Sequence, residues 1–131
     1  MMGLELSKLH KDGLVILDFG SQYTQLIARK IREQNVYSEI VPAKIEFEKI
    51  LKKDPAAIIL SGGPSSVFED QAPNFDKKVL DADLPILGIC YGLQLLAHHN
   101  GGLVEATGVG EYGFGEIEVN NSSGLFKNIP I

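Results

Sequence analysis

Three short apolar runs, Leu14-Val15-Ile16-Leu17, Ala57-Ile58-Ile59-Leu60 and Pro85-Ile86-Leu87-Gly88-Ile89, recur along the chain with amphipathic segments between them. A run this short suits a strand covered on both faces, because each side chain meets apolar neighbours whichever way the pleat turns it. The amphipathic segments supply the covering helices, and a strand reached through such a crossover lies parallel to the one before it. The rhythm predicts an α/β fold: an open, mostly parallel sheet with helices on both faces.

Residues 1–13 mix charges with isolated apolar residues and read as a tail, in which His10 has no role; residues 14–131 read as one domain. After the first strand, Ser21 is placed to cap a helix whose Tyr23, Leu26, Ile27 and Ile31 share one face, leaving Arg29, Lys30, Arg32 and Glu33 mainly on the wet side. A strand over 38–41 stops at Pro42, and a short helix over 45–52 leads to the second apolar run. Ser61-Gly62-Gly63-Pro64 punctuates that run, and a polar loop then reaches a helix over 74–82. The third run delivers Cys90. A helix over 93–99 follows it, ended by Asn100-Gly101-Gly102, and 113–119 forms one more strand.

The formal net charge of −5, with no basic stripe, gives a nucleic-acid backbone nothing to bind. No apolar stretch approaches the roughly 20 residues of a membrane span, and the opening residues lack the order of a signal peptide, so the expected location is the cytoplasm. A single cysteine, Cys90, excludes an internal disulfide and a zinc cluster, and no metal site is expected. Cys90 is therefore either a buried structural thiol or a chemically active one.

The spacing Gly88-Ile89-Cys90-Tyr91-Gly92 decides for activity, because it places cysteine in the nucleophile position of a sharp strand-to-helix elbow. The turn holds its central residue in strained geometry, and glycines on either side let strand and helix approach. At a helix N-terminus the sulfur also meets the positive end of the helix dipole, which favours negative charge on it. Attack on a carboxamide carbon creates an oxyanion, which needs donors already in place. The N–H of Tyr91 is one candidate, and the glycine-rich turn at Ser61-Gly62-Gly63-Pro64 offers that of Gly62 or Gly63.

Gly88-Ile89-Cys90-Tyr91-Gly92-Leu93-Gln94 resembles the nucleophile signature of class I glutamine amidotransferases, and Ser61-Gly62-Gly63-Pro64 their oxyanion loop. Asp18-Phe19-Gly20-Ser21-Gln22-Tyr23-Thr24-Gln25-Leu26-Ile27-Ala28-Arg29 is similar to the opening of the GMP synthase branch of that family. The resemblance implies a flavodoxin-like sheet and attack by Cys90 on the side-chain amide of glutamine. Ammonia leaves, a γ-glutamyl thioester is hydrolysed, and the ammonia passes to an ATP-dependent synthetase module or subunit that aminates XMP to GMP. It further implies oxyanion donors at Tyr91 and Gly62, and contacts to glutamine from Gly62, Gly63 and Gln94. The glutaminase step needs no cofactor, ATP and Mg serve the synthetase, and the full enzyme has room to be a homodimer.

The family completes a Cys-His-Glu triad with a His-Pro-Glu type segment well downstream of the cysteine, and no such segment follows here up to Ile131. His98 and His99 lie eight and nine residues beyond Cys90, roughly 12 Å or more along a helix. The resulting expectation is the N-terminal two-thirds of an amidotransferase domain, C-terminally incomplete and inactive alone for want of a base. Two other readings stand beside it. One is a non-catalytic docking or regulatory module that keeps the fold, which the intact Cys90 disfavours. The other is the glutaminase of a different amidotransferase, such as anthranilate synthase, which the Gly20-Ser21-Gln22-Tyr23 opening disfavours.

Overall fold

The computed structural model describes residues 12–63, 75–105, 114–119 and 124–128. Four strands, β1 (Leu14–Asp18), β2 (Ser38–Pro42), β3 (Ala57–Leu60) and β4 (Ile86–Gly88), make one sheet in the order β2-β1-β3-β4, every neighbouring pair parallel. Three helices accompany them, α1 (Thr24–Glu33), α2 (Phe47–Lys52) and α3 (Tyr91–His99), with a 3-10 turn over Lys77–Asp81. Gly13 is already buried, and its carbonyl accepts the Ala56 N–H at 2.8 Å.

The alternation of each strand sorts its apolar residues onto two faces. Val15 and Leu17 of β1, with Ile58 and Leu60 of β3, pack with Ile50 of α2, Val79 and Leu80 of the 3-10 turn, and Tyr91 and Leu95 of α3. Ile16 and Ile59 turn the other way and meet Ala28, with Ile27 and Ile31 of α1 packed against them. Both faces of β1 and β3 are thus covered, which is why those runs carry no polar alternation. Each fully buried Ile, Leu or Val is worth about 1.5–3 kcal/mol relative to exposure, so these two central strands hold much of the stability.

The helix after β1 keeps Ile27 and Ile31 of its expected face against the sheet but not the other two residues. Tyr23 and Leu26 are exposed, while Thr24 and Ala28, one turn apart, are buried. Small side chains let α1 lie close to the sheet. Ser38 fixes that approach by donating its hydroxyl to the Ala28 carbonyl at 3.2 Å, and Arg32 reaches back to the Ser38 carbonyl at 2.8 Å. Ser21 does not cap α1 directly; its hydroxyl accepts the Tyr23 N–H at 3.0 Å, closing the turn that precedes the helix.

Other elements shift for physical reasons. The helix expected over 74–82 is the five-residue 3-10 turn, its Asn74 lying outside the described residues. Asp76 starts it by accepting the Lys78 N–H, and extended backbone at Ala82 ends it. The strand expected over 113–119 is absent from 114–119, where Phe114 and Ile117 are exposed and no described strand lies alongside to complete a ladder; Gly113 is outside the described residues. The last helix begins at Tyr91, two residues earlier than its periodicity suggests. Pro42 ends β2, an edge strand, where its missing N–H breaks no ladder bond to a further strand. Among the described residues no helix is long and apolar enough to cross a membrane.

Asp76 ties two segments that are remote in sequence. One carboxylate oxygen accepts the N–H of Phe47, the first residue of α2, at 3.0 Å, and the other accepts that of Lys78 at 3.1 Å. The Phe47 N–H, and after it the Lys78 N–H, hold the Asp76 carboxyl below its ordinary value of 3.8. A carboxylate whose affinity for protons falls on folding contributes stability above its unfolded-state value, and that contribution is lost as pH drops through the folded-state value. Asp76→Ala is therefore expected to lower the urea midpoint at neutral pH. The gap from wild type should close as pH is taken below 3.8; a gap that stays constant with pH would show that the charge does not matter there.

Candidate active site

Parallel register sets the site. Leu17 of β1 pairs with Leu60 of β3, and Leu60 with Gly88 of β4, so the three strands run out at nearly one level. The segments that follow them, Phe19 to Tyr23, Ser61 to Gly63 and Ile89-Cys90, emerge side by side at the carboxyl edge. The chain reverses its winding between β1 and β3, and in open α/β sheets ligands bind in the crevice at such a switch point. A cleft of about 380 Å³ lies there, lined by Gly20, Ser21, Gln22, Tyr23, Gly62, Gly63 and Cys90. That volume is at the lower end of small-molecule sites.

Cys90 stands between β4 and α3 with φ 53° and ψ −113°, a conformation that L residues rarely adopt. Strain of this kind costs on the order of 1–3 kcal/mol and persists only where the surroundings enforce it. Here the backbone on both sides does so. The Ile89 N–H donates to the Leu60 carbonyl at 2.9 Å, the Gly92 N–H to the Ile89 carbonyl at 3.0 Å, and the Gln94 N–H to the Cys90 carbonyl at 3.1 Å. The glycines are required by proximity. A Cβ on Gly92 would meet the carbonyl oxygen of Leu60 and come within 2.6 Å of its Cβ, and one on Gly88 would come within 2.7 Å of the Gly92 oxygen. The cysteine itself is free and exposed.

Gly62 is the closest part of the glycine turn. A Cβ there would lie 3.1 Å from the Cys90 Cβ and 3.8 Å from Sγ. Neither the Gly62 nor the Gly63 N–H is hydrogen-bonded to another described residue. Buried or half-buried backbone donors are rarely left so, and when they are, a ligand is one explanation. Beneath the turn, Ser61 is wholly buried and its hydroxyl donates to the Gly62 carbonyl at 3.2 Å.

The structure thus gathers Cys90, Gly62 and Gly63 around one cleft. Tyr91 follows the cysteine, but its ring turns into the core and packs edge-on against Phe19 at 5.4 Å, and it is not among the residues that line the cleft. Gln94, one turn along α3, is not among the cleft-lining residues; its Oε1 is buried without a hydrogen-bond partner among the described residues. The lining from Gly20 to Tyr23 is missing from the sequence-derived site. A signal for it existed, since those residues directly follow β1 at its carboxyl end. His98 and His99 end α3 away from the cleft, and His99 Nε2 lies 2.8 Å from Asp81 Oδ1.

Known proteins share this pattern. The family model for glutamine amidotransferase class-I matches residues 15–131. The glutamine-hydrolyzing GMP synthase of Campylobacter lari is 53% identical over 122 residues, which are 93% of this chain and 24% of that protein. The corresponding protein of Streptomyces coelicolor is 53% identical over 120 residues, 91% of this chain and 23% of its own length. This chain therefore spans about a quarter of the relatives it matches. Among solved structures, a GMP synthase subunit from Thermoplasma acidophilum superposes with a TM-score of 0.71 at 30% identity. The match covers 93% of this chain and 62% of that one.

Two substitutions check the geometry of the elbow. Gly92→Ala drives a methyl group into the end of β3 and is expected to cost at least about 1–3 kcal/mol in urea unfolding, the usual range for overpacking. Gly62→Ala should fold nearly as wild type but slow alkylation of Cys90 by iodoacetamide severalfold, because its new methyl leans on the cysteine. An unchanged midpoint for Gly92→Ala would mean that α3 is not held against β3 as described.

Proposed function

The chain belongs to the class I glutamine amidotransferase family, and we propose that it carries the glutaminase chemistry of GMP synthesis, with Cys90 as nucleophile. The supporting observation is the placement of an exposed, strained cysteine at the mouth of a cleft, beside a glycine turn whose N–H groups are unpaired among the described residues. In this reading the Cys90 thiolate attacks the side-chain carboxamide carbon of glutamine. A C–S bond forms, the carbonyl π electrons move to oxygen, and backbone N–H groups of Tyr91 and the Gly62-Gly63 turn hold that oxyanion. Collapse expels ammonia as it takes up a proton and leaves a γ-glutamyl thioester, which water hydrolyses to glutamate.

Gly62 and Gly63 can meet the substrate with bare backbone, whereas a contact from Gln94 would require its buried Oε1 to be uncovered toward the cleft. Ammonia would pass to an ATP-dependent synthetase module or subunit, where ATP and Mg enter and XMP is aminated to GMP. The names of the relatives support that assignment.

Protonating the departing ammonia and activating water both call for a positioned acid/base. Neither described histidine serves, since both lie roughly 12 Å or more along α3 from Cys90. We therefore propose that these 131 residues alone acylate but scarcely turn over, a missing acid/base being worth about 10²- to 10⁴-fold.

The test is to mix the folded chain with glutamine, quench in acid and weigh the protein. A γ-glutamyl adduct on Cys90, absent from Cys90→Ala, with ammonia release far below stoichiometric turnover, is the expected result. Rapid ammonia release abolished by Cys90→Ala would keep the nucleophile and overturn the inactivity. No adduct on the folded chain, even with an activated γ-ester of glutamate, would overturn the glutaminase assignment.

A further inference from the structure

A chain of buried hydroxyls runs under the glycine turn, and the chemistry above does not use it. Asp18, at the end of β1, accepts the Gly20 N–H at 2.8 Å and the Thr24 hydroxyl at 3.3 Å. Thr24, at the start of α1, is within 3.3 Å of Ser61 Oγ as well. Ser61 accepts the Phe19 N–H at 3.3 Å and donates to the Gly62 carbonyl at 3.2 Å. Thr24 and Ser61 are almost wholly inaccessible to solvent.

A hydroxyl has one proton to donate and two lone pairs with which to accept. With its proton on the Gly62 carbonyl and a lone pair accepting the Phe19 N–H, Ser61 is held from two sides, and the single Thr24 proton, which serves either Asp18 or Ser61 at a time, steadies it from a third. The peptide joining Gly62 to Gly63 is planar and trans, so its C=O and N–H point in opposite directions. Holding the carbonyl down onto Ser61 therefore fixes the direction of the Gly63 N–H. Glycine on both sides of that peptide supplies no steric preference of its own, so without such a hold the plane could turn. A donor that must be in place before charge develops cannot be left to rotate.

We propose that Ser61 and Thr24, anchored by Asp18, are positioning residues that orient the Gly62-Gly63 peptide as an oxyanion donor for acyl transfer to Cys90. The inference rests on the glutaminase reading and adds to it the means by which a flexible glycine pair is made rigid. It separates two reactions of the same sulfur. Acylation passes through an oxyanion and needs the oriented peptide, whereas alkylation by iodoacetamide is a displacement at carbon with no oxyanion and does not.

The test uses the folded 131-residue chain and two reagents. The γ-p-nitrophenyl ester of glutamate acylates Cys90: the C–S bond forms, the C–O bond breaks, and one equivalent of nitrophenolate is released as a burst above the Cys90→Ala background. Removing an oxyanion donor outright costs about 10²- to 10³-fold, so loosening one through Ser61→Ala or Thr24→Val should slow the burst by roughly tenfold. The half-saturating ester concentration should stay put, and iodoacetamide should react with Cys90 at the wild-type rate. Thr24→Ser keeps the hydroxyl and should restore the burst. The proposal is overturned if acylation and alkylation fall together, if neither falls, or if Thr24→Ser behaves as Thr24→Val. A wild-type chain with no Cys90-dependent burst overturns the glutaminase reading itself, an outcome set apart because it precedes any variant.

Discussion

The contact between the ends of β3 and β4 is the constraint on which the site depends. Gly92 sits so close to the Leu60 backbone that no side chain fits between them, and the Ile89 N–H is bonded to the Leu60 carbonyl. Those two contacts fix where α3 begins, and the chain can then pass from strand to helix only by a tight turn through Cys90 at positive φ. The buried runs of β1 and β3 supply the stability that carries this strain. A cost of about 1–3 kcal/mol is a large share of the 5–15 kcal/mol typical of a domain, so the elbow is tolerable only on a well-packed sheet.

The two central strands were legible because their residues obey one rule, which β4 does not: Leu87 is exposed and Ile86 only half-buried. Val15, Ile16, Leu17, Ile58, Ile59 and Leu60 are all buried, on whichever face they fall, so in β1 and β3 the unbroken apolar run was a faithful signal of a doubly covered strand. The elbow was legible for a related reason: glycine, cysteine and glycine at that spacing answer to a single steric requirement. What could not be read was close packing that favours small or polar side chains. On α1 the apolar count points to Tyr23 and Leu26, yet Thr24 and Ala28 face the sheet, because helix proximity there rewards small size over hydrophobicity. Bonds across long sequence separations were equally silent. Asp76 meets Phe47 from 29 residues away, and Ser61 meets Phe19 from 42. No local pattern announces either.

The same blindness explains the uneven reading of the site. Cys90 and the Gly62-Gly63 turn were found because each carries its own backbone peculiarity. Gly20 to Tyr23 form one wall of the cleft, but the positive φ of Gly20 is not announced by a lone glycine, and their position after β1 was the physical clue. Ser61 looked like the opening of an ordinary turn. Its importance appears only when its partners on β1 and α1 are seen, since a hydroxyl takes its role from what it bonds.

Charge also distributes unevenly around the cleft. Among the described residues that line it, none carries a fixed charge, and Asp18, the nearest carboxylate in the network, has its Oδ1 engaged by Gly20 and Thr24. A negative charge developing over Cys90 would thus meet backbone dipoles rather than a fixed cation. Dipoles that are bonded from behind need no reorganisation when the charge appears, whereas a lysine on a flexible stem would have to be brought in and ordered. That difference favours building such a site from strand ends and helix starts, and it accounts for the placement of rigid hydrogen bonds directly behind the most conformationally free peptide in the cleft.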